Sequence, residues 1–166
     1  MAEPLRVCFV CTGNICRSPM AESVFRSRIE EAGLDSLVET DSAGTGGWHE
    51  GDAADPRAVR VLERHGYDSE HTARQFHASW FAEKDLVIAL DEGHLRELRR
   101  MAPTPADAEK VRLLLSYDPD AEPGDLDVPD PYYGDMDGFE ECLELIEGAA
   151  EGLLGAVRAS LGAARA

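Results

Sequence analysis

The sequence lacks the long apolar runs and the excess of basic residues that membrane and nucleic-acid proteins carry. None of its apolar runs approaches the roughly 20 residues that cross a bilayer. Residues 1–6 show no basic region followed by an apolar stretch, so we expect no secretory signal. The chain has only 16 Lys and Arg residues against 33 Asp and Glu residues. Its net charge of −17 argues against nucleic-acid or anionic-membrane partners. An anionic substrate therefore needs a local pocket that overcomes this unfavourable field.

The few cysteines of the chain are clustered in a way that does not suit a disulfide framework. The chain has four cysteines in 166 residues, and Cys8, Cys11 and Cys16 fall within nine positions. A disulfide scaffold spreads its cysteines along a short secreted chain. We therefore expect a reducing compartment, the cytoplasm, and a chemical or metal role for the cluster. The metal interpretation is disfavoured, because no fourth ligand stands at a suitable spacing and Cys8 lies inside a predicted strand.

Apolar runs and helical periodicity alternate along the chain. Four runs predict strands, at residues 5–10, 36–40, 85–90 and 111–115. Four segments predict helices, at residues 18–33, 55–66, 92–101 and 139–161. A glycine-rich loop is predicted at 41–47 and a proline-broken loop at 118–137. This order predicts one α/β domain over residues 1–166, with a parallel sheet and right-handed crossovers.

The segment after the first strand carries the strongest chemical signal. It contains Cys11-Thr12-Gly13-Asn14-Ile15-Cys16-Arg17-Ser18 and leads into a predicted helix. Ligands of open parallel sheets bind at the carboxyl ends of the strands. The N–H groups of such a loop can converge on one anion, and the helix dipole adds to them. Gly13 and Asn14 tolerate the left-handed backbone that this curvature needs.

Cys11 and Arg17 stand at the two ends of that loop. A thiol among aligned N–H dipoles and near a guanidinium should be a thiolate at neutral pH, and a Ser18 hydroxyl would stabilise it further. The planar guanidinium of Arg17 matches two phosphate oxygens. The alternative is that Cys11 is a small buried residue in a tight turn. Strand, Gly-Asn, Arg and helix start occur together, which favours nucleophilic attack on phosphorus.

The run from Val10 to Pro19 resembles the signature of low-molecular-weight protein tyrosine phosphatases. Two later segments resemble that family in the expected order, namely Asp41-Ser42-Ala43-Gly44-Thr45 and Asp130-Pro131-Tyr132-Tyr133-Gly134-Asp135. The resemblance covers nearly the whole chain and is closest to actinobacterial members. It implies a three-layer domain with a central four-stranded parallel sheet in the flavodoxin-like order 2-1-3-4. It also implies an enzyme without metal or cofactor that acts on phosphotyrosine-containing proteins and binds phosphate or similar oxyanions. The sequence leaves the oligomeric state open, and we expect a monomer.

A tyrosyl leaving group needs a proton donor at neutral pH, because its pKa is about 10. Asp127, Asp130 and Asp135 are all loop carboxylates, and residue type alone does not choose among them. The resemblance selects Asp130 as general acid and base, between two prolines that stiffen the backbone. It implies a phosphocysteine on Cys11 that water then hydrolyses, while Arg17 and the loop N–H groups hold the phosphate.

The resemblance assigns the other site residues as well. It places the loop positions at the phosphate or substrate: Thr12, Gly13, Asn14, Ile15, Cys16 and Ser18. It places Trp48 opposite Tyr132 and Tyr133 as aromatic walls, although a tryptophan is as often a core residue. Ser42 and His71 match the residues that support the backbone of Asn14, although His71 on its own would be interpreted as a solvated histidine. Many members have an apolar residue where this chain has Thr12, and this side chain should lie at the rim of the cleft.

Two other function classes stay open on the sequence. A thioredoxin-coupled arsenate reductase resembles this fold and reuses the Cys-x5-Arg loop, but it needs downstream cysteines, and only Cys142 follows here. A non-catalytic phosphotyrosine-binding or redox-sensing module would not need Cys11, Arg17 and an acid together. The position of Cys16 suggests a further hypothesis, that a disulfide with Cys11 protects Cys11 from irreversible oxidation.

Overall fold

The computed structural model describes residues 3–165, with side chains described to residue 162. In this range four strands are present: β1 (Leu5–Cys11), β2 (Val38–Gly44), β3 (Leu86–Ala89) and β4 (Val111–Leu113). The α-helices are α1 (Arg17–Glu31), α2 (Pro56–Arg64), α3 (Glu92–Met101), α4 (Pro105–Glu109) and α5 (Met136–Arg165). Two 3-10 segments, Ala78–Glu83 and Leu114–Tyr117, complete the regular structure. No helix between residues 3 and 165 is long and apolar enough to cross a membrane.

The strand β1 lies at the centre of the sheet. It pairs in parallel with β2 from Leu5–Val38 to Cys11–Gly44 and with β3 on its other side, and β4 pairs in parallel with β3. The order β2-β1-β3-β4 confirms the predicted order 2-1-3-4. The ends of β1 and β3 therefore lie side by side, and the loops that follow them meet at one edge.

Successive residues of β1 face opposite sides of the sheet. Phe9 and Cys11 pack in the larger core cluster with residues of α1, α2 and α5. Cys8 and Val10 pack on the other face, in a cluster that includes Leu98 of α3. Helices thus cover both faces, which confirms the three layers. Because Cys8 and Cys11 belong to different faces, they do not form one metal site.

The second strand differs from its prediction in both bounds. It was expected at 36–40 with a loop at 41–47, but β2 runs from Val38 to Gly44. Asp41 and Ser42 concealed the second half of this edge strand, because aspartate is rare in strands and both residue types are common in turns. Both polar side chains have hydrogen-bond partners in the structure. Asp41 accepts hydrogen bonds from Arg74 and Lys84, and Ser42 accepts one from Asn14.

The last two elements also differ from the prediction at their ends. β4 ends at Leu113, two residues early, because the chain turns there into a 3-10 segment. The helix α5 begins at Met136, before the predicted start, and continues to Arg165. Gly152 in this helix reflects close packing, since a Cβ atom there would lie 1.9 Å from the carbonyl oxygen of Tyr117.

Candidate active site

Residues 11–18, called the cradle loop below, turn from the end of β1 into α1. At its centre Asn14 has φ 59°, a left-handed conformation that non-glycine residues rarely adopt. Its Nδ2 donates to Ser18 Oγ at 2.8 Å and to Ser42 Oγ at 3.0 Å. Its Oδ1 accepts a hydrogen bond from the backbone N–H of Arg74 at 3.0 Å, and His71 Nε2 donates to the backbone carbonyl oxygen of Asn14 at 2.7 Å. Four hydrogen bonds thus fix one strained residue and, with it, the curvature of the loop.

The sulfur of Cys11 lies at the floor of the loop, with the residue only 3% exposed. Ser18 Oγ is 3.0 Å from this sulfur, and the Ser18 N–H donates to it at 3.4 Å. The Ser18 hydroxyl proton has a competing acceptor in the carbonyl oxygen of Ala43 at 3.3 Å. Ser18 thus offers the Cys11 sulfur two hydrogen-bond donors, its hydroxyl and its backbone N–H.

Arg17 is the first residue of α1, and its side chain is almost fully buried. Its Nη1 donates to Asp91 Oδ2 at 2.8 Å and to the Val128 carbonyl oxygen at 2.9 Å. Burial opposes the charge, but nearby Cys11 and the bond to Asp91 outweigh it and raise the pKa of Arg17. Arg17 is therefore a fixed cation beside the Cys11 sulfur.

Asp130 faces this cation from the acid segment, a name used below for residues 128–135. Its Oδ2 is 3.6 Å from Arg17 Nη2, its Oδ1 accepts the Tyr132 N–H at 3.1 Å, and its side chain is 45% exposed. Between the segment and the loop is a cleft of about 300 Å³. A carboxyl that is anchored yet open to the cleft can exchange a proton with a bound molecule.

Most of the predicted site residues line that one cleft. They are Cys11, Thr12, Gly13, Ile15, Cys16, Arg17, Trp48, Asp130, Tyr132 and Tyr133. The other four do not line the cleft. Asn14 and Ser18 belong to the loop but are buried, and Ser42 and His71 lie behind it, where hydrogen bonds with Asn14 support the loop. Trp48 is 76% exposed, so it is a wall of the cleft and not part of the core. The cleft thus combines a polar floor with three aromatic side chains.

Two glycines around the cleft have neighbours so close that a Cβ atom would not fit without a shift. A Cβ atom at Gly44 would lie 2.6 Å from the Thr12 carbonyl oxygen, so glycine lets the end of β2 approach the loop. A Cβ atom at Gly13 would lie 2.9 Å from the ring of His49. His49 lines the cleft and was absent from the predicted site.

Sequence reasoning also missed Asp91 and His94 at the start of α3. The Asp91 carboxylate holds Arg17 through Oδ2 and accepts the His94 N–H through Oδ1 at 2.9 Å, as the N-cap of the helix. Burial raises the pKa of Asp91, but these two donors outweigh it and lower that pKa. One sequence signal was present: Asp91 closely follows β3, and the ends of neighbouring parallel strands meet at one edge.

His94 is buried, and burial lowers its pKa to about 4 although Asp91 acts in the opposite direction. Its Nε2 is 2.8 Å from Thr12 Oγ1. Its Nδ1 is 3.1 Å from Asp91 Oδ1, outside hydrogen-bond geometry. A lone pair would be repelled by that carboxylate, so the proton belongs on Nδ1, and Nε2 accepts the Thr12 O–H.

Comparison with known proteins agrees with this geometry. Residues 6–163 match the family model for low molecular weight phosphotyrosine protein phosphatase. A low molecular weight protein-tyrosine-phosphatase of Streptomyces coelicolor is 72% identical over 153 residues, which cover 92% of this chain and 93% of that protein. Low molecular weight protein-tyrosine phosphatase A of Mycobacterium tuberculosis is 50% identical over 153 residues, with 92% and 91% covered.

Solved structures lead to the same family. The crystal structure of a protein tyrosine phosphatase from Entamoeba histolytica matches with a TM-score of 0.89 at 33% identity, covering 94% of this chain and 98% of that one. The similarity to actinobacterial relatives, which the cradle loop and the acid segment indicated, is also confirmed. The chain belongs to the low molecular weight phosphotyrosine protein phosphatase family.

Proposed function

We propose that this protein is a protein-tyrosine phosphatase that hydrolyses phosphotyrosine through a phosphocysteine on Cys11. The observation that supports this most is the juxtaposition of Cys11, Arg17 and Asp130 around one cleft. A nucleophile, an anion-binding cation and a proton donor are the three groups that metal-free cleavage of an aryl phosphate requires. Each of them is held by hydrogen bonds from a different part of the fold.

In the first step the Cys11 thiolate attacks phosphorus. A sulfur–phosphorus bond forms as the bond between phosphorus and the phenolic oxygen breaks. The Asp130 carboxyl gives its proton to that oxygen, so the phenol leaves neutral. The Arg17 guanidinium and the cradle-loop N–H groups hold the equatorial oxygens, and this fixed arrangement needs little reorganisation as charge redistributes.

In the second step water replaces the sulfur. The Asp130 carboxylate, now ionised, takes a proton from the water while the water oxygen bonds to phosphorus. The sulfur–phosphorus bond breaks, Cys11 leaves as a thiolate and inorganic phosphate is released. The hydrogen bonds from Ser18 stabilise this leaving thiolate as they stabilise the attacking one.

The depth of the cleft supports a preference for aryl over short alkyl phosphates. Cys11 is 3% exposed, whereas Trp48 and Tyr133 at the entrance are 76% and 92% exposed. A phenyl ring spans this depth and stacks on the aromatic side chains, which stabilises the complex further. Phosphotyrosine is the phosphoamino acid with such a ring, and phosphotyrosine-containing proteins are the proposed substrates of a monomeric, cytoplasmic enzyme formed by residues 1–166.

The proposal is tested by steady-state hydrolysis of an aryl phosphate, with and without EDTA. Wild type is compared with two variants. Cys11→Ser is expected to be inactive, and the rate of hydrolysis by Asp130→Ala is expected to be roughly 10²- to 10⁴-fold lower. Activity of Cys11→Ser near that of wild type would exclude the cysteine mechanism. Folded wild type that lacks phosphatase activity but reduces arsenate with thioredoxin, or only binds phosphotyrosine, would favour one of the two other classes.

A further inference from the structure

Arg57 joins the cradle loop to the acid segment, although neither step of the proposed reaction uses it. It lies in the first turn of α2, and its side chain is 30% exposed. The guanidinium donates four hydrogen bonds, two to a carboxylate and two to backbone carbonyl oxygens. A guanidinium with four of its five N–H groups engaged has one preferred position and holds its acceptors at fixed separations.

Asp55 anchors Arg57 on the side of the cradle loop. Arg57 Nε donates to Asp55 Oδ1 and Arg57 Nη2 donates to Asp55 Oδ2, both at 3.0 Å. The backbone N–H of Asp55 in turn donates to the carbonyl oxygen of Ile15 in the loop at 2.8 Å. Burial opposes the Asp55 charge, but the hydrogen bonds from Arg57 outweigh it and lower the pKa of Asp55. The pair is thus a two-point ionic contact fixed to the cradle loop.

The other half of the guanidinium holds the acid segment. Nη1 donates to the Gly134 carbonyl oxygen at 2.9 Å and Nη2 to the Tyr132 carbonyl oxygen at 2.8 Å. The guanidinium carbon lies 4.6 Å from the ring centroid of buried Phe139, which fixes the plane of the group. The N–H of Tyr132 is the donor to Asp130 Oδ1. Arg57 therefore fixes the position of Tyr132, whose N–H in turn positions the Asp130 carboxylate.

Other anchors of the segment lie before Asp130. Arg17 binds the carbonyl oxygen of Val128, and the Cys142 thiol donates to that of Pro129 at 3.0 Å. Within residues 3–165, the hydrogen bonds that reach residues 131–134 from elsewhere in the chain come from Arg57. Removal of Arg57 therefore leaves residues 131–134 without a hydrogen bond from elsewhere in the described part of the chain.

We propose that Arg57 is a positioning residue for proton donation, which sets the distance between the Asp130 carboxyl and a substrate bound in the cradle loop. The inference rests on the proposed role of Asp130. Its consequence depends on the leaving group. A phenol of low pKa leaves without a proton, whereas tyrosine does not, so a misplaced Asp130 slows only the cleavage of poor leaving groups.

The test measures kcat/KM for aryl phosphates whose phenols span pKa values from about 5 to about 10. Arg57→Met removes the four donors but keeps an apolar stem on Phe139. Arg57→Lys is the second variant, in case Arg57→Met unfolds, because it keeps a positive charge beside buried Asp55. A single ammonium group cannot reproduce both the bidentate pair with Asp55 and the two hydrogen bonds to carbonyl oxygens. The matched control is Arg64→Gln, which removes an exposed ion pair of the same helix with Glu140.

In both Arg57 variants kcat/KM is expected to fall roughly 10- to 100-fold for phenyl phosphate and phosphotyrosine. For the substrate with the best leaving group it should fall less than about 3-fold. Arg57→Lys is expected to be thermally more stable than Arg57→Met, but its kcat/KM for poor leaving groups should stay as low. In the Asp130→Ala background, Arg57→Met should add no further dependence on the leaving group. Arg64→Gln should parallel wild type.

Two results would overturn the inference. A loss of equal size for all leaving groups would assign Arg57 a purely structural role, and full activity of Arg57→Lys would assign it only charge neutralisation. The proposed role of Asp130 fails separately, if Asp130→Ala itself shows no dependence on the leaving group. In that case the acid is another residue, and Arg57 does not act through Asp130.

Discussion

Thr12 donates its hydroxyl hydrogen bond to His94 Nε2 at 2.8 Å, so the rim of the cleft is tied to a buried histidine of α3. Thr12 was expected to face substrate, and it does line the cleft. Its hydroxyl is turned to His94, and its remaining surface is apolar. Position 12 therefore presents mainly an apolar methyl group to the cleft, although threonine is a polar residue type.

Thr12→Val is expected to destabilise the fold by about 1–2 kcal/mol, because it leaves a buried nitrogen of His94 without a partner. Replacing both residues, as in Thr12→Val with His94→Leu, should cost less than the sum of the single changes. Urea unfolding of the four proteins measures the coupling. Strict additivity would show that this hydrogen bond contributes nothing to stability.

The depressed pKa of His94 predicts how stability depends on pH. Folded His94 titrates at about 4 against 6.5 for the ordinary group, because burial disfavours its charged form. Above pH 6.5 both states are neutral. Below it the unfolded chain binds the proton first, so stability falls between pH 6.5 and 4. The full loss is roughly 3 kcal/mol for this one buried group.

His94→Gln should flatten that dependence between pH 6.5 and 4.5. His71 has a pKa lowered by burial and contributes in the same direction. The difference between wild type and His94→Gln isolates His94, whose charged neighbours are Asp91, Arg17, Asp130 and Asp127. Identical slopes for the two proteins, from unfolding free energies across this range, would contradict the assignment.

Two substitutions of Asn14 separate its backbone strain from its hydrogen bonds. Both Asn14→Gly and Asn14→Ala remove three side-chain bonds, worth about 1 kcal/mol each. Alanine must also adopt φ 59°, which should make Asn14→Ala roughly 1 kcal/mol less stable than the glycine variant. Denaturant unfolding measures this gap, and phosphate affinity reports the loop. A glycine variant no more stable than alanine would mean that the loop has relaxed.

The sequence predicted the centre of the site better than its supports. The run around Cys11 combines an apolar strand, Gly-Asn and a helix start, so residues close in sequence determine its conformation. The parallel sheet followed from the alternation of strands and helices, and the order of the strands from the family resemblance. Asp91 and His94 were missed because their role depends on β3 lying beside β1, a contact between residues about 80 positions apart.

Arg57 illustrates a second limit. Two of its acceptors are backbone carbonyl oxygens, which every residue carries, so no residue type at 132 or 134 marks them. The end of β2 was missed for a related reason. Asp41 and Ser42 resemble loop residues until the partners that satisfy them, on other elements, are known.

The cysteine hypothesis leads to a prediction about oxidation. Cys11 and Cys16 are both buried free thiols of the cradle loop, and burial raises the pKa of Cys16 far above its ordinary value. Cys11 is therefore the thiol that peroxide oxidises first, and Cys16 can condense with the sulfenic acid, forming a disulfide and releasing water. Cys16→Ser should thus recover less activity with thiol after peroxide treatment.

Cys8→Ala is the matched control for that experiment. Cys8 is equally buried but belongs to the core cluster on the other face of the sheet from Cys11. Its replacement should leave recovery as in wild type. Equal recovery in Cys16→Ser and wild type would remove the disulfide hypothesis, and mass spectrometry of the peroxide-treated wild type would identify the bond directly.

The acidity of the chain predicts which phosphopeptides bind well. The net charge is −17, and exposed carboxylates follow both walls of the cleft: Glu50 and Asp52 after His49, and Asp135 after Tyr133. A phosphotyrosyl peptide with acidic neighbours should therefore have a higher KM than one with lysines. Raising ionic strength from 0.01 to 0.15 M shortens the screening length from about 30 to about 8 Å. The KM of the acidic peptide should fall roughly 2- to 10-fold and that of the basic peptide should rise.

A small aryl phosphate without flanking charges is the reference, since salt also screens the phosphate that both peptides share. The ratio of each peptide's KM to this reference isolates the effect of the flanking residues. If added salt raised the relative KM of the acidic peptide, local cations would dominate at the cleft. The carboxylates on its two walls would then have no part in substrate choice.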